Sequence, residues 1–402
     1  MNTLLMVLVR ALRQHRWLCL FGSAYLFSSI GNGLTQTLIL GQLLRWHASP
    51  ATLTLSCMLA TLPGFFGSLL GEYGCRRVSP LRLLLLCELI GLAGLLFPLY
   101  GLLAHSIPAL LAVQSIEAFV TGLSWPAMSL VFKRGLSANE LPAATSMETV
   151  IFASQVLLGT GVGVVLFDRV SPMTLLSIDA ISFVFSTLLL CATARYLPPA
   201  SHEDHPEKTV TLRWHHLPVI QKRSLLLLPA LAAVGAPAMA LLPALIQQMR
   251  PAEATDLALP LIFARSLGQL CGPLLLKADN LKRYASHNRY LVGCLLAFLA
   301  AYCVLPGLTP YPETALLIIF TAHLASNMVF AVGTFSLLHN FHADAVPTAT
   351  AKVWRWQSCC AAMATLIAAL LAAKWGAAQA LYMVSFSTLA LVMMVLIRYR
   401  HE

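Results

Sequence analysis

Apolar residues run in stretches of about twenty along nearly the whole chain, interrupted at regular intervals by charge, Pro and Gly. That length matches the ~20 residues an α-helix needs to cross a bilayer. The pattern predicts spans near 17–44, 51–71, 81–104, 107–132, 142–167, 172–195, 223–248, 256–277, 289–306, 312–337, 351–373 and 376–397. The first apolar stretch, Leu4 to Val9, precedes Arg10, Arg13 and Arg16 instead of following them, the reverse of a secretory leader. It reads as an amphipathic start lying at the membrane interface.

Composition agrees with the pattern. Of 402 residues, 58% are apolar and 10% are Asp, Glu, Lys or Arg, where soluble domains carry roughly a quarter charged residues. A water-soluble globular protein is excluded. The net charge of +10 would point a soluble chain toward nucleic acid, but here the loops decide. One set of alternate loops and ends holds 21 basic residues, among them Arg76, Arg77, Arg82, Lys133, Arg134, Lys208, Arg213, Lys277, Arg283, Lys352, Arg398 and Arg400; the other holds Arg45, Arg169, Arg250 and Lys374. By the positive-inside rule both termini are cytoplasmic and the number of spans is even. The excess charge records topology, and no nucleic-acid partner is implied.

The longest hydrophilic stretch lies mid-chain and predicts a cytoplasmic linker at 197–222, dividing six-helix halves at 1–196 and 223–402. Its His202, His205, His215 and His216 read as solvated side chains, and no metal site or cofactor is expected. Cys19, Cys57, Cys87, Cys191, Cys271, Cys294 and Cys303 fall in apolar runs with no CxxC spacing and read as packing residues. Shifting the second half by 205 positions superimposes Gly67 on Gly272, Pro142 on Pro347 and Thr145 on Thr350, each at the same place in its span. Such an internal repeat is expected of a membrane protein built from two six-helix halves.

The segment Gly67-Ser-Leu-Leu-Gly71-Glu72-Tyr73-Gly74-Cys75-Arg76-Arg77 resembles the G-x-L-A-D-R-x-G-R-R motif of the major facilitator superfamily, with Gly71 at the usual Asp position and the acid one place later as Glu72. Trp125-Pro126-Ala127, Asn139-Glu140-Leu141, Ala144, Gly159-Thr-Gly161-Val-Gly163 and Ser177-Ile-Asp179-Ala180-Ile-Ser-Phe183 are similar to the drug-efflux branch that contains macrolide and siderophore exporters. Pro243-Ala244-Leu245 adds to this, and the superfamily's lysophospholipid transporters share a comparable pattern. The resemblance implies an all-α integral membrane protein of twelve transmembrane helices in two pseudo-symmetric halves, a monomer in the inner (cytoplasmic) membrane. Spans 1, 4, 7 and 10 would line a central cavity.

A charged side chain near the bilayer centre costs at least about 2.5–3.5 kcal/mol on insertion scales, so each needs a partner or a watery cavity. Arg265 and Glu117 fall near the middle of spans 8 and 4. Gln114, Glu117 and Thr121 share one helix face. Arg265 with Gln269, His323 with Asn327, and Asn32 with Gln36 form three more polar stripes. On the resemblance these converge on a substrate site, with Arg265 taking the anionic part of the substrate through its bidentate fork. Glu117 is the favoured proton carrier, and His323, whose side-chain type titrates nearest neutrality, competes with it. The alternative is a fixed ion pair between Glu117 and Arg265. Glu88 and Asp179 read as structural hydrogen-bonding groups. Glu72, Arg76 and Arg77 would serve a gate, joined by Glu148 pairing with Arg355 or with loop basics.

GxxxG spacings at Gly67 and Gly71, Gly159 and Gly163, and Gly268 and Gly272 allow close helix approach. The resemblance assigns these faces to contacts between halves, where alternating access needs rocking. Pro237 and Pro243 would permit a bend. No P-loop, HExxH or GxSxG is present; Gly122-Leu-Ser124-Trp125-Pro126 fails at its last position. The expected activity is therefore not enzymatic. It is proton-coupled export of an amphipathic, anionic small molecule such as a siderophore or drug, with lysophospholipid transport as the alternative.

Overall fold

The computed structural model describes residues 3–48, 52, 56, 58–198, 212–249, 254–308 and 311–399. Cys57, Arg250, Arg400 and the linker stretch 199–211 with His202, His205 and Lys208 lie outside the described residues, as do the side chains of Pro243 and Ala244. Along the described chain the helices are α1 (Leu4–Gln14), α2 (Arg16–Arg45), α3 (Pro63–Arg77), α4 (Pro80–Gly94), α5 (Leu96–Ala104), α6 (Ile107–Gly135), α7 (Leu141–Ser154), α8 (Gly161–Phe167) and α9 (Pro172–Thr193). They continue as α10 (Val219–Met249), α11 (Ala254–Leu275), α12 (Leu281–Ser286), α13 (Asn288–Val304), α14 (Pro312–Asn340), α15 (Val346–Trp375) and α16 (Ala377–Arg398).

Nine segments among the described residues are long and apolar enough to cross a membrane: Pro80–Ala104, Ile107–Gly135, Leu141–Phe167, Pro172–Thr193, Val219–Leu242, Asn288–Leu308, Glu313–Asn340, Ala343–Trp375 and Ala377–Arg398. Their burial pattern is that of a multi-pass membrane protein. On α9 the polar Asp179, Ser182 and Ser186 are buried, while Ile178, Ile181, Val184, Phe185 and Leu188 are exposed. Water would reverse that distribution; a surrounding hydrocarbon favours it.

Local chemistry sets the element edges. Predicted span 3 is broken between α4 and α5, because Pro98 removes the N–H that would bond the Gly94 carbonyl. Predicted span 5 carries a π-helical turn at Gln155–Thr160 between α7 and α8, a form common at functional sites. Gly376, at φ 85°, makes the left-handed turn joining α15 to α16. Pro63 opens α3, which runs to Arg77, so the Gly67–Arg77 motif is helical throughout and continues past the end expected for the second span at 71.

The chain divides into two compact units. One comprises 8–211 with 342–355; the other comprises 1–7, 212–341 and 356–402. In the second unit the chain start is tied down, with the Leu4 amide donating to the Leu276 carbonyl at 2.8 Å. Leu5, Met6 and Val9 of α1 remain exposed.

The glycine stripes pack within the units, a correction to the expectation that they face the other half. A Cβ on Gly67 would lie 2.0 Å from the Phe119 carbonyl oxygen, and one on Gly71 2.5 Å from that of Leu123, so α3 presses on α6. Gly159 meets Gly33 and Gly163 meets Thr37 on α2. Gly272 meets the Leu324 carbonyl oxygen at 2.3 Å, and Gly268 that of Phe320. The contact pairs Gly67–Phe119 and Gly272–Leu324 are themselves 205 positions apart, so the repeat extends to packing. The spacing specifies a smooth helix face, and helices adjacent within each unit use it because close backbone approach is their main source of van der Waals contact in lipid.

Candidate functional site

In the first unit, α2 and α6 place two of the predicted stripes together. The Gln36 side chain lies beside the Glu117 carboxylate, and Asp179 on α9 lies near enough to act on that carboxylate electrostatically. Glu117 Oε1 and Asn32 Oδ1 are buried without partners among the described residues. The other two stripe residues on α6 are occupied. Gln114 accepts from the Ser56 hydroxyl at 2.6 Å, and the Thr121 hydroxyl donates to the Glu117 carbonyl at 2.7 Å. Beside this site Asp179, fully buried, accepts hydrogen bonds from Thr35 and Ser182. Gly31 makes room for it, since a Cβ there would approach Asp179 Oδ1 to 2.2 Å. Ser28 donates to Glu88 at 3.3 Å.

In the second unit, α11, α13 and α14 bring Arg265, Tyr302 and His323 into one neighbourhood. Tyr302 and His323 are 0% and 1% exposed, and the phenol oxygen lies 2.8 Å from His323 Nε2. Phe298 sets its ring edge-on to the imidazole at 5.4 Å. Arg265 Nε, Gln269 Oε1 and His323 Nδ1 are buried without hydrogen-bond partners among the described residues. Asn327 donates back to the His323 carbonyl at 3.2 Å. Among the described residues of this unit the groups acting on Arg265 are a phenol and an imidazole, with no carboxylate.

The predicted gate residues separate. Glu72 accepts from Arg76 at 2.6 Å and from Arg355 at 2.9 Å, so one carboxylate joins α3 to the first turns of α15. Arg76 also reaches the Thr348 hydroxyl at 3.3 Å. Trp125 and Trp354 pack with ring centroids 5.3 Å apart, over Gly64. Two expectations for this gate are corrected. Glu148 does not hold Arg355; both of its carboxylate oxygens are buried without a partner among the described residues, because Arg355 is already held by Glu72. Arg77 stands apart from the network and lies over the Tyr73 ring, its Cζ 4.9 Å from the centroid.

Sequence reasoning missed Tyr302 and Thr348. Tyr302 sits in an otherwise apolar run, where an aromatic residue reads as packing. Thr348 carried no signal beyond its place near Arg355.

A bundle of membrane helices with buried polar groups, an internal repeat, an acidic site in one unit and a basic site in the other is the pattern of a polytopic transporter. A sequence profile of the Major Facilitator Superfamily matches residues 17–356, and the chain belongs to that family. Among solved structures it is similar to the human organic anion transporter MFSD10 (TETRAN), at 13% identity and TM-score 0.69, covering 94% of this chain and 98% of that one. It is also similar to a bacterial homologue of the iron transporter ferroportin in its outward-facing state, at 14% identity and TM-score 0.67, covering 94% and 99%. The proton:xylose symporter XylE bound to 6-bromo-6-deoxy-D-glucose matches at 12% identity and TM-score 0.71, covering 96% of each chain. At these identities the likeness shows the fold. A curated relative from Pseudescherichia vulneris, an uncharacterized 29.9 kDa protein in the crtE 3′ region, is 84% identical over 71 residues, 18% of this chain. The chain spans about a quarter, 26%, of that relative's length.

Proposed function

We propose that this transporter exports an amphipathic organic anion, of the siderophore or drug-like carboxylate class, across a cytoplasmic membrane in exchange for protons. The observation that carries the reading is Arg265, a membrane guanidinium whose Nε is buried and unpartnered among the described residues, and whose described neighbours in its own unit bring no negative charge. A cation so placed is costly until an anion arrives, and a carboxylate offers two acceptor oxygens to its fork. Gln269, His323 and Asn327 complete the anion side. Glu117, seated on Gln36, is the proton carrier, with Gln114, Thr121 and Asn32 around it. Glu72, Arg76 and Arg355 serve as a latch. Twelve spans with both termini cytoplasmic and alternating access are part of this reading. A structural neighbour named as an organic anion transporter and another named as a proton symporter support substrate charge and coupling.

Lysophospholipid transport is the second reading, because a guanidinium takes phosphate as readily as carboxylate. Equilibrium binding of a carboxylate siderophore and of a lysophospholipid to purified wild type and Arg265→Gln separates them. The proposal expects siderophore binding lost in the variant. Lysophospholipid binding alone would transfer the assignment, and equal siderophore binding by both proteins would remove Arg265 from it.

A further inference from the structure

A second cationic site lies in the second unit, away from Arg265. A cavity of about 110 Å³ opens between the start of α10, α12 and the end of α14, lined among others by Arg223, Ser224, Lys282, Ser286, His339 and Asn340. One water needs roughly 10–15 Å³ of such space, so the cavity has room for a polyatomic ion. Among the described residues no Asp or Glu lines it.

Arg223 is 3% exposed. Its Nε donates to the Ala285 carbonyl at 2.7 Å, and Nη1 reaches the Leu396 and Tyr399 carbonyls at 3.4 Å. Nη2 is buried with no partner among the described residues. A buried guanidinium held by neutral carbonyls keeps its full charge, and burying that charge without a counterion is expensive. The fold does not need an arginine there. The position 205 residues earlier is Leu18, 0% exposed, so the repeat sets an apolar residue there in the first unit and a cation in the second.

We propose that this cavity binds a phosphate-type anion, either the headgroup of an anionic phospholipid or free phosphate. Arg223 supplies the Nη2 edge of its guanidinium and Lys282 a mobile charge, while Ser224, Ser286 and Asn340 already hydrogen-bond one another or the backbone and hold the wall in place. Basic pockets between membrane helices attract anionic headgroups.

The test uses the full-length chain. Thermal stability is measured in detergent with and without millimolar inorganic phosphate, and retained lipid is measured by native mass spectrometry after reconstitution with phosphatidylglycerol or phosphatidylcholine. Wild type is expected to retain phosphatidylglycerol preferentially, or to be stabilised by phosphate. The first result alone identifies a headgroup site, and stabilisation by phosphate identifies a site for the free ion. Lys282→Glu, at an exposed position that should not affect folding, is expected to weaken binding about tenfold or more. Arg223→Leu, which restores the first unit's residue, is expected to abolish it. Binding of neither probe by wild type, or equal binding by wild type and Lys282→Glu, would overturn the proposal.

Discussion

Neutralising Glu72 tests the reading of the motif most sharply. Glu72 and Arg355 have side chains 15% and 16% exposed, and Arg355 Nη1 is already buried without a partner. In Glu72→Gln the Arg355 charge loses its counterion in a mostly dry place. Breaking a fully buried pair costs about 3–5 kcal/mol, and an exposed pair is worth about 0–1 kcal/mol. At this burial, with one amide acceptor retained, the loss should be about 2–3 kcal/mol. The Arg76 arm is an i,i+4 contact whose arginine is 35% exposed, worth about 0.5 kcal/mol. A double-mutant cycle on equilibrium unfolding with Glu72→Gln and Arg355→Met should return most of that coupling. Replacing Arg355→Met by Arg76→Met should return little. A coupling below about 0.5 kcal/mol between Glu72 and Arg355, or an equal one between Glu148→Gln and Arg355→Met, would refute the assignment.

Gly67→Ala and Gly272→Ala should each destabilise by about 1–3 kcal/mol or more, since the new methyl meets a backbone oxygen at 2.0 or 2.3 Å and the helices must part. Gly293→Ala, with nothing within 4 Å, should stabilise by up to ~1 kcal/mol; thermal unfolding distinguishes the two behaviours. Tyr302→Phe should cost about 1–3 kcal/mol by leaving His323 Nε2 without its partner, measurable by the same unfolding assay. Glu140, in the loop between α6 and α7, has its pKa lowered below 4.5: burial opposes ionisation, but hydrogen bonds from Ser137 and the His15 contact at 2.8 Å outweigh it. A depressed carboxylate stabilises above its unfolded pKa and loses that contribution as pH falls through the folded value. Melting curves from pH 7 to pH 3 should therefore show an acid-side loss that Glu140→Gln lacks.

The membrane character and the edges of most long helices were legible because apolar run length is a one-dimensional property. The polar stripes themselves were visible as periodic breaks in apolar runs, but not which of them would meet. Partners were harder to read. The spacing of Gly67 and Gly71 states that something approaches closely, but not that it is Phe119 and Leu123 of the same unit. Glu72, one place past the usual acid position, remains on the turn that reaches Arg355 because α3 continues through the motif as helix. Arg223 looked like one more loop cation; its burial depends on α12 and α16, which lie far along the chain.

The central claim, proton-coupled export of an organic anion through Arg265 and Glu117, is tested most directly by uptake of a carboxylate siderophore into inverted membrane vesicles, with and without an imposed pH gradient. The account predicts gradient-driven uptake by wild type, no uptake by Arg265→Gln, and loss of the response to the gradient in Glu117→Gln. Uptake that ignores the gradient in wild type, or that survives both substitutions unchanged, would contradict it.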